Sequence, residues 1–271
     1  MMPSKPLSGP VLRHFTRYAP IATVAIALFA AASICGAITI SDRQAEVIGK
    51  KIWQNECAGT VSGLTTWNKG EEFPSLGIAH FIWYPKGVRG PFHESFPGLV
   101  RFLNHNGVKM PTWTNGPCPW PSRSAFQADL NGARLKELRR ILAATVGLQA
   151  RFAAIRLEKA LPTMLKAAPA QQRQRIRENF DRVAAEPMGP YALMDYVNFK
   201  GEGTSPKERY KGEGWGLLQV LERMSTSGPA MPAYRKAANE TLAQRIRNSP
   251  PGRNEAKWMK GWSNRISTYR N

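Results

Sequence analysis

Acidic residues are scarce in this 271-residue chain: 19 Asp and Glu face 38 Lys and Arg, a formal charge of +19. A surface of that sign attracts polyanions, whether nucleic acid, anionic lipid or an acidic cell-wall polymer. Cysteine is scarcer still, and three are too few for a disulfide scaffold. The four histidines form no HxxxH or HExxH cluster, so no metal is expected, and nothing calls for another cofactor. A Gly-rich phosphate loop, a nucleic-acid signature, an internal repeat and a long low-complexity linker are all missing, which leaves one domain after the leader and no nucleic-acid partner. Apolar residues are plentiful, at 42% hydrophobic and 10% aromatic with eight tryptophans. That composition excludes wholesale disorder and supplies a core.

No acid precedes Asp42, while Lys5, Arg13 and Arg17 stand in the first 18 residues. Residues 19–40 are uncharged and almost wholly apolar, long enough to cross a hydrocarbon core of about 30 Å. Basic residues before such a run obey the positive-inside rule. Residues 1–41 therefore read as a transmembrane anchor or as a signal peptide cleaved near Cys35-Gly36-Ala37. Both predict that residues 42–271 work in the cell envelope, periplasmic or otherwise extracytoplasmic. Three of the basic residues and no acid lie before Ser41, so +19 becomes +16 on the exported part.

The exported part opens with Ser41-Asp42-Arg43-Gln44, a capping box. The helix it starts carries Ala45, Ile48, Ile52 and Glu56 at steps of three, four and four, which is one face. A carboxylate ending an apolar stripe is either solvated or buried, and burial favours the protonated form that a general acid requires. Residues 64–67 and 75–84 are β-prone runs around the polar turn 68–72, a hairpin signature. Period two would put Glu71, Phe73 and Ser75 on one side and Glu72 on the other. The Pro-rich loop 107–121 holds Cys118, which either pairs with Cys57 in an oxidising compartment or stays a buried thiol. Residues 131–185 are helical in pattern, punctuated by Pro162 and Pro169, with arginines on the outward faces. A short apolar helix then reaches Asn198, a glycine-rich loop follows, and another helix starts near Trp215.

Asn55-Glu56, a short spacer, the hairpin and Ser75-Leu76-Gly77-Ile78-Ala79-His80 resemble the catalytic segment of phage-type lysozymes. In that family a Glu ends the first helix and a hairpin closes with Thr-hydrophobic-Gly-hydrophobic-Gly-His. Residues 192–198, the Gly-containing loop and Leu217-Leu218 resemble the family's later part, where an Asn lies behind the active site. Gly261-Trp262-Ser263-Asn264-Arg265 is similar to its closing Gly-hydrophobic-x-x-Arg segment. The likeness is discontinuous, over roughly residues 45–85, 191–222 and 255–266. Within the same superfamily, Gly216-Leu217-Leu218-Gln219 resembles the Gly-Leu-Met-Gln segment of goose-type lysozymes and lytic transglycosylases, which nominates Glu202 as an alternative acid.

This resemblance implies a mostly helical α+β fold, with a cleft between a small β-hairpin lobe and a helical lobe, preceded by the apolar N-terminal helix. It implies a muramidase or lytic transglycosylase acting on peptidoglycan glycan strands, with Glu56 as general acid. The family's Asp six residues before the Thr is Lys69 here, so Glu71 or Glu72 has to supply any second carboxylate, with Ser75 holding a water. His80 is expected to hydrogen-bond within the site, and Asn198 matches the family's Asn. Trp67, Trp83, Tyr84, Trp113 and Trp120 are candidates to stack on sugars, and Asn68 to read an acetamido group. The missing Asp also motivates another class, a non-catalytic peptidoglycan-binding or structural envelope protein.

Overall fold

The computed structural model describes residues 38–270 apart from Pro91; the apolar run 19–40 falls almost wholly outside them. Helix α1 (Asp42–Cys57) starts at the capping box: Ser41 Oγ accepts the Gln44 N–H (3.2 Å) and Gln44 Oε1 accepts the Ser41 N–H (3.0 Å). Such a cap contributes about 1 kcal/mol. The stripe Ala45, Ile48 and Ile52 is buried, mainly against α5 (Val146–Ala167). Gly49 lets the two helices touch, because a Cβ there would meet the Val146 carbonyl oxygen at 2.8 Å. Glu56 sits in the last turn, and Ala58 ends the helix in the left-handed region at φ 51°.

A three-stranded antiparallel sheet follows: β1 (Thr65–Thr66), β2 (Ser75–Leu76) and β3 (Phe81–Ile82), with Thr66 opposite Ser75 and Ser75 opposite Ile82. The run 75–84, expected as one strand, is thus broken in two. Gly77 takes φ 72° and His80 φ 50°, and the His80 N–H turns back to the Gly77 carbonyl (3.4 Å). Gln149 of α5 fixes this turn: its Oε1 accepts the Ile78 N–H (3.0 Å) and its Nε2 donates to the Leu142 carbonyl (2.6 Å). The alternation expected from period two is not seen: Phe73, Pro74, Ser75 and Leu76 are all buried, while Glu71 is half-buried and Glu72 exposed in the turn before β2.

Packed on the sheet are α2 (Phe96–His105), α3 (Arg123–Ala128) and α4 (Ala133–Ala144), around an aromatic core. Trp83 is fully buried, with ring centroids of Phe96, Trp113 and Trp120 at 4.7, 6.2 and 6.3 Å. The remaining helices are α6 (Arg173–Ala184), α7 (Gly189–Lys200), α8 (Leu217–Arg223), α9 (Ala230–Asn248) and α10 (Met259–Ser267). A second small sheet, β4 (Arg209–Tyr210) with β5 (Glu213–Gly214), sits in the glycine-rich loop. Helix α7 is buried at every residue from Gly189 to Tyr196, among α1, α5, α6 and α8. Pro162 lies inside α5 without ending it, while Pro169 does separate α5 from α6. The architecture is mostly helical with two small antiparallel sheets. Among the described residues no helix is long and apolar enough to cross a membrane.

The arginines expected as an outward face are partly structural. Arg139 donates to Thr65 Oγ1 and the Leu130 carbonyl (2.6 Å each), and Arg175 to the Glu222 carbonyl (2.8 Å). Arg182 donates to the carbonyls of Ser225 (2.8 Å) and Gly228 (2.7 Å). Guanidinium groups here donate to carbonyls of loops and, at Glu222, of the last turn of α8.

Candidate functional site

Four segments converge at the end of α1. Asp195, on α7, is fully buried; Arg265, on α10, grips it with two parallel N–H···O bonds of 2.8 Å. Asn55 Nδ2 (3.0 Å) and Tyr269 Oη (2.7 Å) donate to the same carboxylate. A buried charge survives only when paired and hydrogen-bonded, and Asp195 has both. Arg265 Nη2 also reaches Glu56 Oε1, and its guanidinium lies 4.4 Å from the Phe199 ring centre. Burial works to lower the Arg265 pKa, but the bonds and charges of Asp195 and Glu56 outweigh it and raise the value overall.

The other Glu56 oxygen faces His80 Nδ1 at 3.5 Å. The Glu56 side chain is only 12% exposed and that of His80 32%. The left-handed His80 backbone, uncommon for a residue with a Cβ, is what swings the imidazole onto Glu56. Cys57 Sγ lies 4.0 Å from His80 Nε2, lining up a thiol, an imidazole and a carboxylate. That order suits nucleophilic catalysis, but the thiol is unsuited to it. Burial, aided by the charge of Glu56, pushes Cys57 up to about 12, and its Sγ points at the Gly77 carbonyl (3.7 Å). The chemistry available is that of one carboxyl group held by a guanidinium and an imidazole.

Beside this constellation opens a cavity of about 890 Å³ between α2, α5 and α7, whose walls include Arg101, Phe152, Arg156, Lys159, Asn198 and Glu202. Phe81, next in chain to His80, packs on Phe152 (5.5 Å) and under the Arg156 guanidinium (5.7 Å). Phe81 thus backs the cavity wall while its neighbour His80 faces Glu56, and neither residue is itself part of the lining. Glu202 has no hydrogen bond or ion pair through its carboxylate among the described residues; Asn198 Nδ2 is buried and without a partner.

No protein-family model, no curated protein and no solved structure matches this chain.

The other residues singled out from the sequence lie as follows. Glu71 accepts from Asn68 Nδ2 (3.2 Å) in the exposed hairpin turn, while Trp67 Nε1 donates to the Glu71 carbonyl (2.7 Å). The Tyr84 pKa is raised chiefly by burial, and the charges of Glu94, Glu72 and Glu71 add to the rise. Neither Glu71 nor Glu72 is a partner of Glu56, whose described partners are Arg265 and His80. Ser75 is buried in the middle strand. Trp67, Trp83, Tyr84 and Trp120 are core residues, at 7% exposure or less, and Trp113 is partly buried against them. Cys57 and Cys118 are separate free thiols; Cys118 Sγ points at the Trp120 carbonyl (3.6 Å), and burial raises it to about 12 too. Among the described residues no group of three or more His, Cys, Asp or Glu side chains is placed to hold a metal ion.

Sequence reasoning missed Asp195, Tyr269 and Arg156, and took Arg265 only as part of a segment. One signal was available: Asp195 is the only charge in the stretch Tyr191-Ala192-Leu193-Met194-Asp195-Tyr196-Val197, and a lone carboxylate in an apolar helix needs a buried cation.

Proposed function

We propose that this chain is an exported or membrane-tethered enzyme that cleaves peptidoglycan glycan strands, with Glu56 as its general acid. The observation that carries the reading is the convergence of Glu56, His80, Asp195 and Arg265, drawn from the three separate blocks that resemble phage-type lysozymes. In this reading the small sheet with α2–α4 and the helices α6–α10 are the two lobes, and α5 links them. Glu56 protonates the glycosidic oxygen as the sugar approaches an oxocarbenium-like state. Arg265 then holds the carboxylate left behind, and Asp195 keeps the guanidinium in place. Lys69 stands where the resembling family carries its second carboxylate, which favours the single-acid route of a lytic transglycosylase over a two-carboxylate hydrolysis. In that route the sugar's own 6-hydroxyl attacks C1 as the bond to the leaving oxygen breaks, and Glu56 takes the hydroxyl proton.

The test is release of soluble muropeptides from purified peptidoglycan by the full-length chain, with mass spectrometry of the new ends. The Glu56→Gln variant is expected to lose about a hundredfold in rate or more, the usual worth of a general acid. Products ending in 1,6-anhydro sugars support the single-acid route, and reducing ends a hydrolase. The free carboxylate of Glu202 in the cavity favours a second assignment of the acid. Activity that survives Glu56→Gln and is lost in Glu202→Gln would establish it. Binding to the sacculus with no release would identify a non-catalytic binding protein instead.

A further inference from the structure

The cavity beside Glu56 is lined with hydrogen-bond donors that have nothing to donate to. Arg156 makes no hydrogen bond and no ion pair among the described residues; its guanidinium has only the Phe81 ring beneath it. Asn198 Nδ2 is a buried donor without an acceptor, and Arg101 and Lys159 stand on the exposed parts of the walls. Of the two acids in the lining, Glu94 already accepts the Tyr84 N–H (2.7 Å). Glu202 acts on Arg156 only through its field, beyond ion-pair distance. Burial lowers the Arg156 pKa, so this guanidinium is desolvated without the compensation Arg265 receives from Asp195. An uncompensated buried donor is costly, and a ligand that supplies the acceptor recovers the loss.

We infer that Arg156 and Asn198 form a carboxylate-binding subsite next to Glu56, so that the substrate is a carboxylate-bearing glycan and not a neutral one. The inference rests on the glycan-cleaving reading above and names what that substrate must carry. The guanidinium fork matches both oxygens of a carboxylate, and the amide Nδ2 supplies a further N–H from α7. Arg101 and Lys159 add positive potential at the mouth. A lactyl group on the sugar and the acidic residues of an attached peptide offer the same chemistry.

Three soluble probes of equal sugar length separate these cases: an N-acetylglucosamine tetramer, a peptide-free peptidoglycan tetrasaccharide with its lactyl carboxylates, and the same tetrasaccharide carrying peptides. Affinities are measured by calorimetry on the full-length chain carrying Glu56→Gln, which prevents turnover. About tenfold tighter binding of a carboxylate-bearing probe over the neutral one is expected, with loss of that preference on adding Arg156→Met. Preference for both acidic probes alike points to the lactyl group, and for the peptide-bearing one alone to the peptide. Asn198→Asp guards against a misfolded Arg156 variant: its new carboxylate should weaken the acidic probes more than the neutral one. Equal affinity for all three probes, no binding of any, or a preference untouched by either substitution overturns the subsite. If that happens while Glu56→Gln still abolishes glycan release, the glycosidase reading stands alone. An Arg156-dependent preference with release unaffected by Glu56→Gln would reject the assigned acid and keep the subsite.

Discussion

Arg265 serves two carboxylates at once, and they differ in what they ask of it. Asp195 is fully buried and takes both arms of the fork, whereas Glu56 is 12% exposed and shares its other oxygen with His80. Removing the guanidinium therefore strands Asp195 with Asn55 and Tyr269 as its only donors among the described residues. Arg265→Met is expected to cost about 3–5 kcal/mol, the usual penalty for breaking a buried pair, read as a lower urea midpoint. Glu56→Gln should cost far less, since the amide oxygen can still accept from Arg265 Nη2. Ala58, two residues on, sits at φ 51° with a Cβ. Ala58→Gly relieves that conformation and should stabilise the chain by about 1 kcal/mol, offset in part by the looser unfolded state. The position of Glu56 was legible because three buried residues precede it at helical spacing. The roles of Asp195 and Arg265 were not, since 70 residues separate them and their side chains meet only in the folded chain.

Among the elements, α1 could be read to the residue at its N-cap, because the capping box is a local signal and the stripe a periodic one. The strands were not readable in the same way. Two-residue strands carry no alternation to detect, so β4 and β5 were missed and 75–84 was taken as continuous. What the sequence pattern could not reveal was the side chain of Gln149, 71 residues from Ile78, which holds the 77–80 turn from outside the sheet. The aromatic candidates were misjudged for a related reason: composition says that tryptophan is present, but not that it is walled in by Phe96 and its neighbours.

The short turn before α10 offers a pH test of its own. Glu255, 4% exposed, accepts from Arg245 (2.7 and 2.9 Å), Tyr210 (2.9 Å) and Arg253 (3.1 Å). The Arg245 bonds chiefly hold its carboxyl at about 2, below the ordinary 4.5. Between these values the unfolded chain binds more protons than the folded one. The contribution is complete above about pH 4.5 and is lost as the pH falls towards 2. Glu255→Gln should flatten the stability profile across that window, as followed by thermal melts at stepped pH.

At the scale of the whole molecule, the surplus of positive charge is divided between unlike jobs. Arg139, Arg175 and Arg182 fasten loops and helix ends, Arg245 and Arg265 neutralise buried acids, and Arg156 lines a cavity with no acid in hydrogen-bond reach among the described residues. Composition alone assigned all of them to one diffuse attraction for polyanions. The mostly helical class was legible from periodicity; the meeting of distant segments was not, because no local pattern encodes it.

Glu56 and Arg265 lie 209 residues apart in the chain. A ribosome has produced the acid long before it produces the hand that holds it. Every unfinished copy, and every copy clipped ahead of α10, therefore carries the carboxylate without its guanidinium. The pair is complete only once α10 has been made and has docked.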